Sequence, residues 1–175
     1  MNTREQNSQP KETKDKSFIE HVVKLRRVTQ VTKGGKRFSF SAFVISGNEQ
    51  GQVGFALGRS REVSLAIAKA TNRARKNMIV VPLRDATIPY PVEGRHGACK
   101  VVILPASKGT GNIAGGAVRA VLNAAGIHDA LTKSFGSTNG LNVAKATMNA
   151  LAKLRPVIQL AKMRGTTIEK IIKGV

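Results

Sequence analysis

From Phe18 onward, apolar and polar residues alternate with the period of a strand. A first strand runs from His21 through Val22-Val23-Lys24-Leu25-Arg26-Arg27-Val28 to Val31 and breaks at Lys33-Gly34-Gly35-Lys36. A second follows, with Phe38, Phe40, Ala42 and Val44 on one face and Ser39 and Ser41 on the other. Gly47-Asn48-Glu49-Gln50-Gly51 reads as a turn, and a third strand sets Val53, Phe55 and Leu57 on a common face. The simplest arrangement is a three-stranded antiparallel meander. The period then changes: from Ser60, the residues Val63, Ala66, Ile67, Ala70, Ala74 and Met78 recur every three or four positions. That stripe predicts a helix covering one face of the sheet, and Pro82 marks the end of the first unit.

The second half alternates strand and helix signals. Ala86–Tyr90 predicts a short strand ended by Pro89 and Pro91, and Ala98–Leu104 a better one stopped by Pro105. The glycine-rich turn Ser107–Gly111 leads to a helix over Ile113–Ala125, with Gly126 as its stop. Ile127–Phe135 reads as a returning strand and Gly136–Gly140 as a turn. Asn142 then caps a helix through Leu154 whose inward positions are Val143, Ala146, Thr147, Ala150 and Leu154. Pro156 ends that helix, and Thr166–Ile172 predicts a last short one. Met1–Lys16 is polar and without period, as expected of a flexible tail. The fold class is therefore α+β. A tail (1–17) precedes a sheet-plus-helix domain (18–82), a two-layer α/β domain (83–160) and a basic C-terminal extension (161–175), with no internal repeat.

Charge sharpens this picture. The chain of 175 residues carries 29 Lys+Arg against 10 Asp+Glu, a formal net charge of +19. The excess is not confined to a tail: residues 18–82 hold twelve basic and three acidic side chains, and residues 83–175 thirteen and four. A small domain needs a net charge of only about 2–8 for solubility, so the surplus points to a polyanion, with nucleic acid first. An anionic membrane surface fits less well, because no helix pairs a basic face with large apolar residues. No apolar run reaches the ~18 residues of a spanning helix, and the N-terminus lacks a secretory pattern. The single cysteine, Cys99, excludes an internal disulfide framework and reads as a small buried hydrophobe in a cytosolic protein.

Candidate chemistry concentrates at Lys33-Gly34-Gly35-Lys36-Arg37, where paired glycines permit close backbone approach and cations flank them. With Arg26 and Arg27 nearby, this hairpin tip suits a phosphate backbone; the alternative is an ordinary turn with solvated lysines. Gly109-Thr110-Gly111 through Gly115-Gly116 resembles a nucleotide loop, but its third glycine falls one residue late for G-x-G-x-x-G and no phosphate-loop lysine precedes Ser or Thr. What remains is a helix N-terminus beside Lys108 that attracts an anion, or equally a tight packing of small residues. The histidines (His21, His96, His128) lack metal-ligand spacing and the acids are scattered, so neither a metal site nor an enzyme is expected. Aromatics make up only 4% of the chain, which favours recognition of the backbone and shape of structured RNA over base stacking.

Several blocks, in order, strongly resemble the family of bacterial small-subunit ribosomal protein number five. They include Val31-Thr-Lys-Gly-Gly-Lys-Arg-Phe-Ser-Phe40, Gly51-Gln-Val-Gly-Phe55, Ala74-Arg-Lys-Asn-Met78, Pro105-Ala-Ser107, Gly109-Thr-Gly111, Ile113-Ala-Gly-Gly-Ala-Val-Arg-Ala-Val-Leu122 and Gly136-Ser-Thr-Asn139. The resemblance covers roughly residues 18–155. It implies a first domain similar to double-stranded-RNA-binding domains and a ribosome-bound, cytoplasmic, non-enzymatic protein without cofactor or metal that does not form homo-oligomers. The implied partners are 16S ribosomal RNA, small-subunit proteins number four and number eight, and messenger RNA near its entry channel. Arg27–Phe38 matches the family's loop near the decoding region and the spectinomycin site, and Gly109–Arg119 the surface linked to the number-four protein and to decoding accuracy. The residues expected on RNA are Arg26, Arg27, Thr29, Lys33, Gly34, Gly35, Lys36, Arg37, Phe38, Arg59, Arg61, Lys69, Arg73, Arg75, Lys76 and Lys108. Those expected on protein are Gly111, Asn112, Gly115, Gly116 and Arg119. The chain departs from the family pattern at Arg26 (usually asparagine), Gln30 (commonly lysine), Tyr90 (frequently histidine), Asn112 (usually aliphatic), Asn123 (usually glutamate) and Gly140 (commonly proline). Two rivals remain: a free-standing double-stranded-RNA-binding regulator and, by fold analogy alone, a small phosphotransferase.

Overall fold

A computed structural model of the chain describes residues 18–166. The expected tail lies outside these residues, as does all but the first residue of the expected Thr166–Ile172 helix. Three long strands, β1 (Ile19–Thr32), β2 (Gly35–Gly47) and β3 (Gln52–Ser60), form the antiparallel meander. The sheet has a fourth member that the pattern did not predict: β4 (Ile79–Val80) returns after the helix and pairs with Gln52 and Val53. Helix α1 (Val63–Lys76) starts three residues later than Ser60 and lays Ala66, Ala70 and Ala74 on the sheet. Its contact face is small, and so is the sheet opposite it. Of the apolar face read on β2, Phe40, Ala42 and Val44 meet α1 and Phe38 stays half-exposed, while β3 presents Gly54 and Gly58, where even a methyl group would collide with carbonyl oxygens of Ala74 and Ala66.

The other face of the same sheet is also buried. Phe43, Ile45 and Val53, with Phe55 and Leu57 at the margin, join a continuous core with the second half of the chain. The serine face expected from Ser39 and Ser41 therefore becomes apolar towards the end of β2, because a second layer covers it.

The half of the chain that supplies this cover carries a mixed sheet of its own, in the order β5-β6-β8-β7. Its strands are β5 (Val92–His96), β6 (Cys99–Pro105), β7 (Asn112–Ile113) and β8 (Ala130–Gly136), all antiparallel except the parallel β7–β8 pair. Helices α2 (Gly116–Ala125) and α3 (Gly140–Leu151) complete the core, and α4 (Val157–Arg164) follows. Helix α2 contacts β1, β2 and β3 as well as α3, so it acts as a wedge between the halves. The backbones touch there directly: the Glu49 N–H donates to the Ala124 carbonyl at 3.1 Å and the Gly51 N–H to that of Ala125 at 2.9 Å. Cys99 is buried in this core, and burial raises its thiol pKa.

Several sequence expectations change here. Ala86–Tyr90 is not a strand; an isolated Arg84–Thr87 bridge closes a turn there, and the strand comes after Pro91 as β5. Asn112 and Ile113 belong to a short strand rather than to the start of the helix, which begins at Gly116. Residues Ile127–Asp129 precede β8 instead of forming its first turn of alternation. Asn139, not Asn142, caps α3, its side chain accepting the Leu141 N–H at 3.3 Å. Pro156 ends α3's exit segment and begins α4, because a proline lacks the N–H that a first helical turn leaves unused anyway. Helix α4 consequently runs across residue 160.

Candidate nucleic-acid interface

β3 pairs with β2 only as far as the Phe40–Ser60 couple, whereas β1 and β2 continue to Thr32 and Gly35. Residues 28–39 are thus a two-stranded arm standing clear of the sheet. A two-residue connection, Lys33-Gly34, closes it, and the Thr32 hydroxyl donates to the Gly35 carbonyl at 3.1 Å. Gly35 has φ of +142°, a conformation that suits glycine. Lys33, Lys36 and Arg37 crowd this exposed tip. Thr29 lies opposite Phe38, and the Arg27 guanidinium stacks 3.8 Å from the Phe38 ring centre, which keeps a half-exposed aromatic beside a cation.

A β-bulge decides which cations share a face. Val22 lies opposite Val44, yet Lys24 lies opposite Phe43, so one extra residue slips in between. Without it, Lys24 and Arg26 would point toward α1. With it, they turn to the opposite face and join Arg59, whose register partner Ser41 also faces Arg26. Lys24 was not among the sequence-derived candidates, although its two-residue spacing from Arg26 signals a shared strand face.

The cations of α1 divide. Lys69 and Lys76 are exposed, as is Arg61 before the helix. Arg73 donates to the Leu57 carbonyl at 3.3 Å. Arg75 is committed internally: it bonds Glu20 at 2.8 Å and sits over the Phe18 ring, so its charge is largely offset.

The glycine-rich loop is closed from within. Asp129, only 5% exposed, accepts the N–H groups of Gly109 and Gly111 at 3.1 and 2.8 Å through one oxygen. These two loop amides are therefore taken by Asp129, whereas the helix N-terminus read as an anion site comes later, at exposed Gly116, and Lys108 is displayed on the loop's exposed rim. Asn112 also turns inward: its amide donates to Asn123 at 2.7 Å. Asn112 and Asn123, two positions read above as unusual, are thus joined in a single contact. Gly115, Gly116 and Arg119 are exposed at the start of α2, and Gly111 is half-buried.

The described residues hold two further ion pairs, both on Glu93, with Lys100 at 2.6 Å and Arg95 at 3.9 Å. The hydrogen bond from Lys100 and its charge hold the Glu93 carboxyl below the usual range. No group of three or more His, Cys, Asp and Glu among the described residues is placed to hold a metal, and no helix there is long and apolar enough to cross a membrane. The arrangement is a basic surface with most of its cations unpaired among the described residues, carried on two sheets that share one core.

Residues 18–82 match the family described as "Ribosomal protein S5, N-terminal domain", and residues 94–164 its C-terminal counterpart. Among curated proteins, the small ribosomal subunit protein uS5 of Flavobacterium psychrophilum is 50% identical over 155 residues, 89% of each chain. Those of Salinibacter ruber (48% identical, 93% of each chain) and Syntrophobacter fumaroxidans (52%, 91% of this chain and 96% of the other) are similar to the same extent. With both halves matched in order and half of all positions identical along nearly the whole length, the chain belongs to the ribosomal protein S5 family, the non-enzymatic uS5 proteins of the small ribosomal subunit.

Proposed function

We propose that this protein fastens 16S ribosomal RNA within the small subunit, using the 28–39 arm and the unpaired cations around it as the RNA-facing surface. One observation carries the reading: a two-stranded arm extends beyond its third strand and ends in Lys33, Lys36 and Arg37, none of which has an acidic partner among the described residues. Such an edge is costly in isolation and useful against phosphates, since each neutralised phosphate releases counterions. The core that runs from the first sheet into the second makes the halves one body, so an RNA contact on one half is held at a fixed distance from surfaces on the other. On this reading the exposed start of α2, with Gly115, Gly116 and Arg119, faces small-subunit protein number four, and protein number eight is a second neighbour. A rigid link between RNA and those proteins supports subunit assembly, decoding accuracy and the passage of messenger RNA at its entry channel.

Sedimentation of a bacterial lysate expressing the tagged full chain tests this. The wild type should travel with the small-subunit peak, and Lys33→Gln/Lys36→Gln/Arg37→Gln should shift material toward the top of the gradient at moderate salt. Wild-type protein running free, or bound to isolated RNA duplexes away from subunits, would contradict the proposal and favour an independent RNA-binding regulator.

A further inference from the structure

On the face of the first sheet that turns away from α1, two rows of side chains read straight across the strands. One is Arg26, Ser41 and Arg59; the next is Lys24, Phe43 and Leu57. Strands lie ~4.8 Å apart, so the two arginines of the first row are based ~10 Å from each other with a serine hydroxyl between them. The start of α3 closes one end with Asn139 and Leu141, leaving a groove of about 210 Å³. No acidic residue lines it, and Lys24, Arg26 and Arg59 form no ion pair among the described residues. Three like charges around a partly enclosed space repel one another unless an anion enters.

The floor narrows the choice of anion. Val28, Phe43, Leu57 and Leu141 make it apolar. A regular RNA duplex offers such a groove only phosphates and riboses, and would leave that apolar surface without a partner. A base freed from its stack offers phosphate and flat apolar surface together. We propose that this groove receives one unstacked nucleotide of RNA, its phosphate over Ser41 between Arg26 and Arg59, its base laid against Leu57, Phe43 and Leu141. Asn139, whose side-chain oxygen is taken by the Leu141 N–H, keeps an amide donor for the edge of the base. This inference rests on the RNA-binding reading above and adds a mode to it: the arm grips backbone, the groove takes a base.

The test uses the full chain and three probes: an RNA hairpin with one bulged aminopurine nucleotide, the same hairpin fully paired, and free aminopurine riboside monophosphate. The bulged hairpin should bind about tenfold more tightly than the paired one, ~1.4 kcal/mol, with a change in aminopurine fluorescence. Arg26→Gln/Arg59→Gln should bring that ratio close to one. Lys33→Gln/Lys36→Gln/Arg37→Gln should weaken both hairpins together and leave the ratio intact. Equal affinity of the wild type for both hairpins would overturn the groove's role while leaving RNA binding in place, and failure to bind either would overturn both. A bulge preference that survives Arg26→Gln/Arg59→Gln would place the base elsewhere and overturn the assignment. A free nucleotide binding as tightly as the bulged hairpin would make the groove a mononucleotide site and overturn its role toward RNA.

Discussion

The arm tip and the joint between the sheets both depend on glycine, for opposite reasons. At Gly35 nothing among the described residues lies within 4 Å of where a side chain would begin, and the residue serves an exposed turn. At Gly47 and Gly126 a side chain would strike the carbonyl oxygens of Ala124 and Glu49, because the two halves meet backbone to backbone. One region is open around its backbone, the other closed against it. The difference teaches that the basic surface owes little to stability and the joint nearly everything, so substitutions in the two should separate binding from folding.

The sharpest way to break that separation is Gly126→Ala. Gly126 has φ of +86° at the end of α2, so the new methyl group meets both backbone strain and the Glu49 carbonyl. A loss on the order of 3 kcal/mol or more is expected in urea unfolding, and a loss below about 1 kcal/mol, the size of an average substitution, would mean that the halves can part at little cost.

Asp129→Ala comes next. It leaves the Gly109 and Gly111 amides to water and should cost about 2 kcal/mol, the scale of hydrogen bonds to a charged group. Hydrogen exchange at Gly111 should accelerate with it, while Asp129→Asn, which keeps an acceptor, should do much less. Unchanged exchange in the alanine variant would show that the loop holds itself.

The smallest effect belongs to Glu93. Its carboxyl pKa is depressed by Lys100, so its stabilising share is present at neutral pH and disappears as pH falls through that lowered value. Melting temperatures of wild type and Glu93→Gln should differ slightly at neutral pH and converge in acid. A gap that persists in acid would point to packing instead of charge.

Much of this fold was legible in the chain. The first hairpin could be read because its strands are long, one face is apolar and the glycine pair breaks the period. What stayed hidden shares a cause: the signal was either non-local or carried by residues too small to show it. β5 includes Gly94, which faces α3 so closely that no side chain fits, and its alternation is therefore muted. β7 exists only because Asn112 and Ile113 meet β8, a parallel pairing distant in sequence. Helix α4 was masked by Pro156, which reads as a stop and acts as a start. The candidate surface followed the same rule. The cations themselves were plain, but the bulge after Val22 decides that Lys24 and Arg26 face Arg59, and the ion pair with Glu20 that offsets Arg75 joins residues far apart in the chain.

The claim that the arm works by neutralising phosphates is tested most directly by the salt dependence of binding to a structured ribosomal RNA fragment. The logarithm of affinity should fall steeply and linearly with the logarithm of salt. Lys33→Gln/Lys36→Gln/Arg37→Gln should flatten the slope by ~0.7–0.9 for each phosphate that is no longer neutralised, with the unfolding midpoint unchanged. A shallow wild-type slope, or a triple variant with the same slope as wild type, would contradict it.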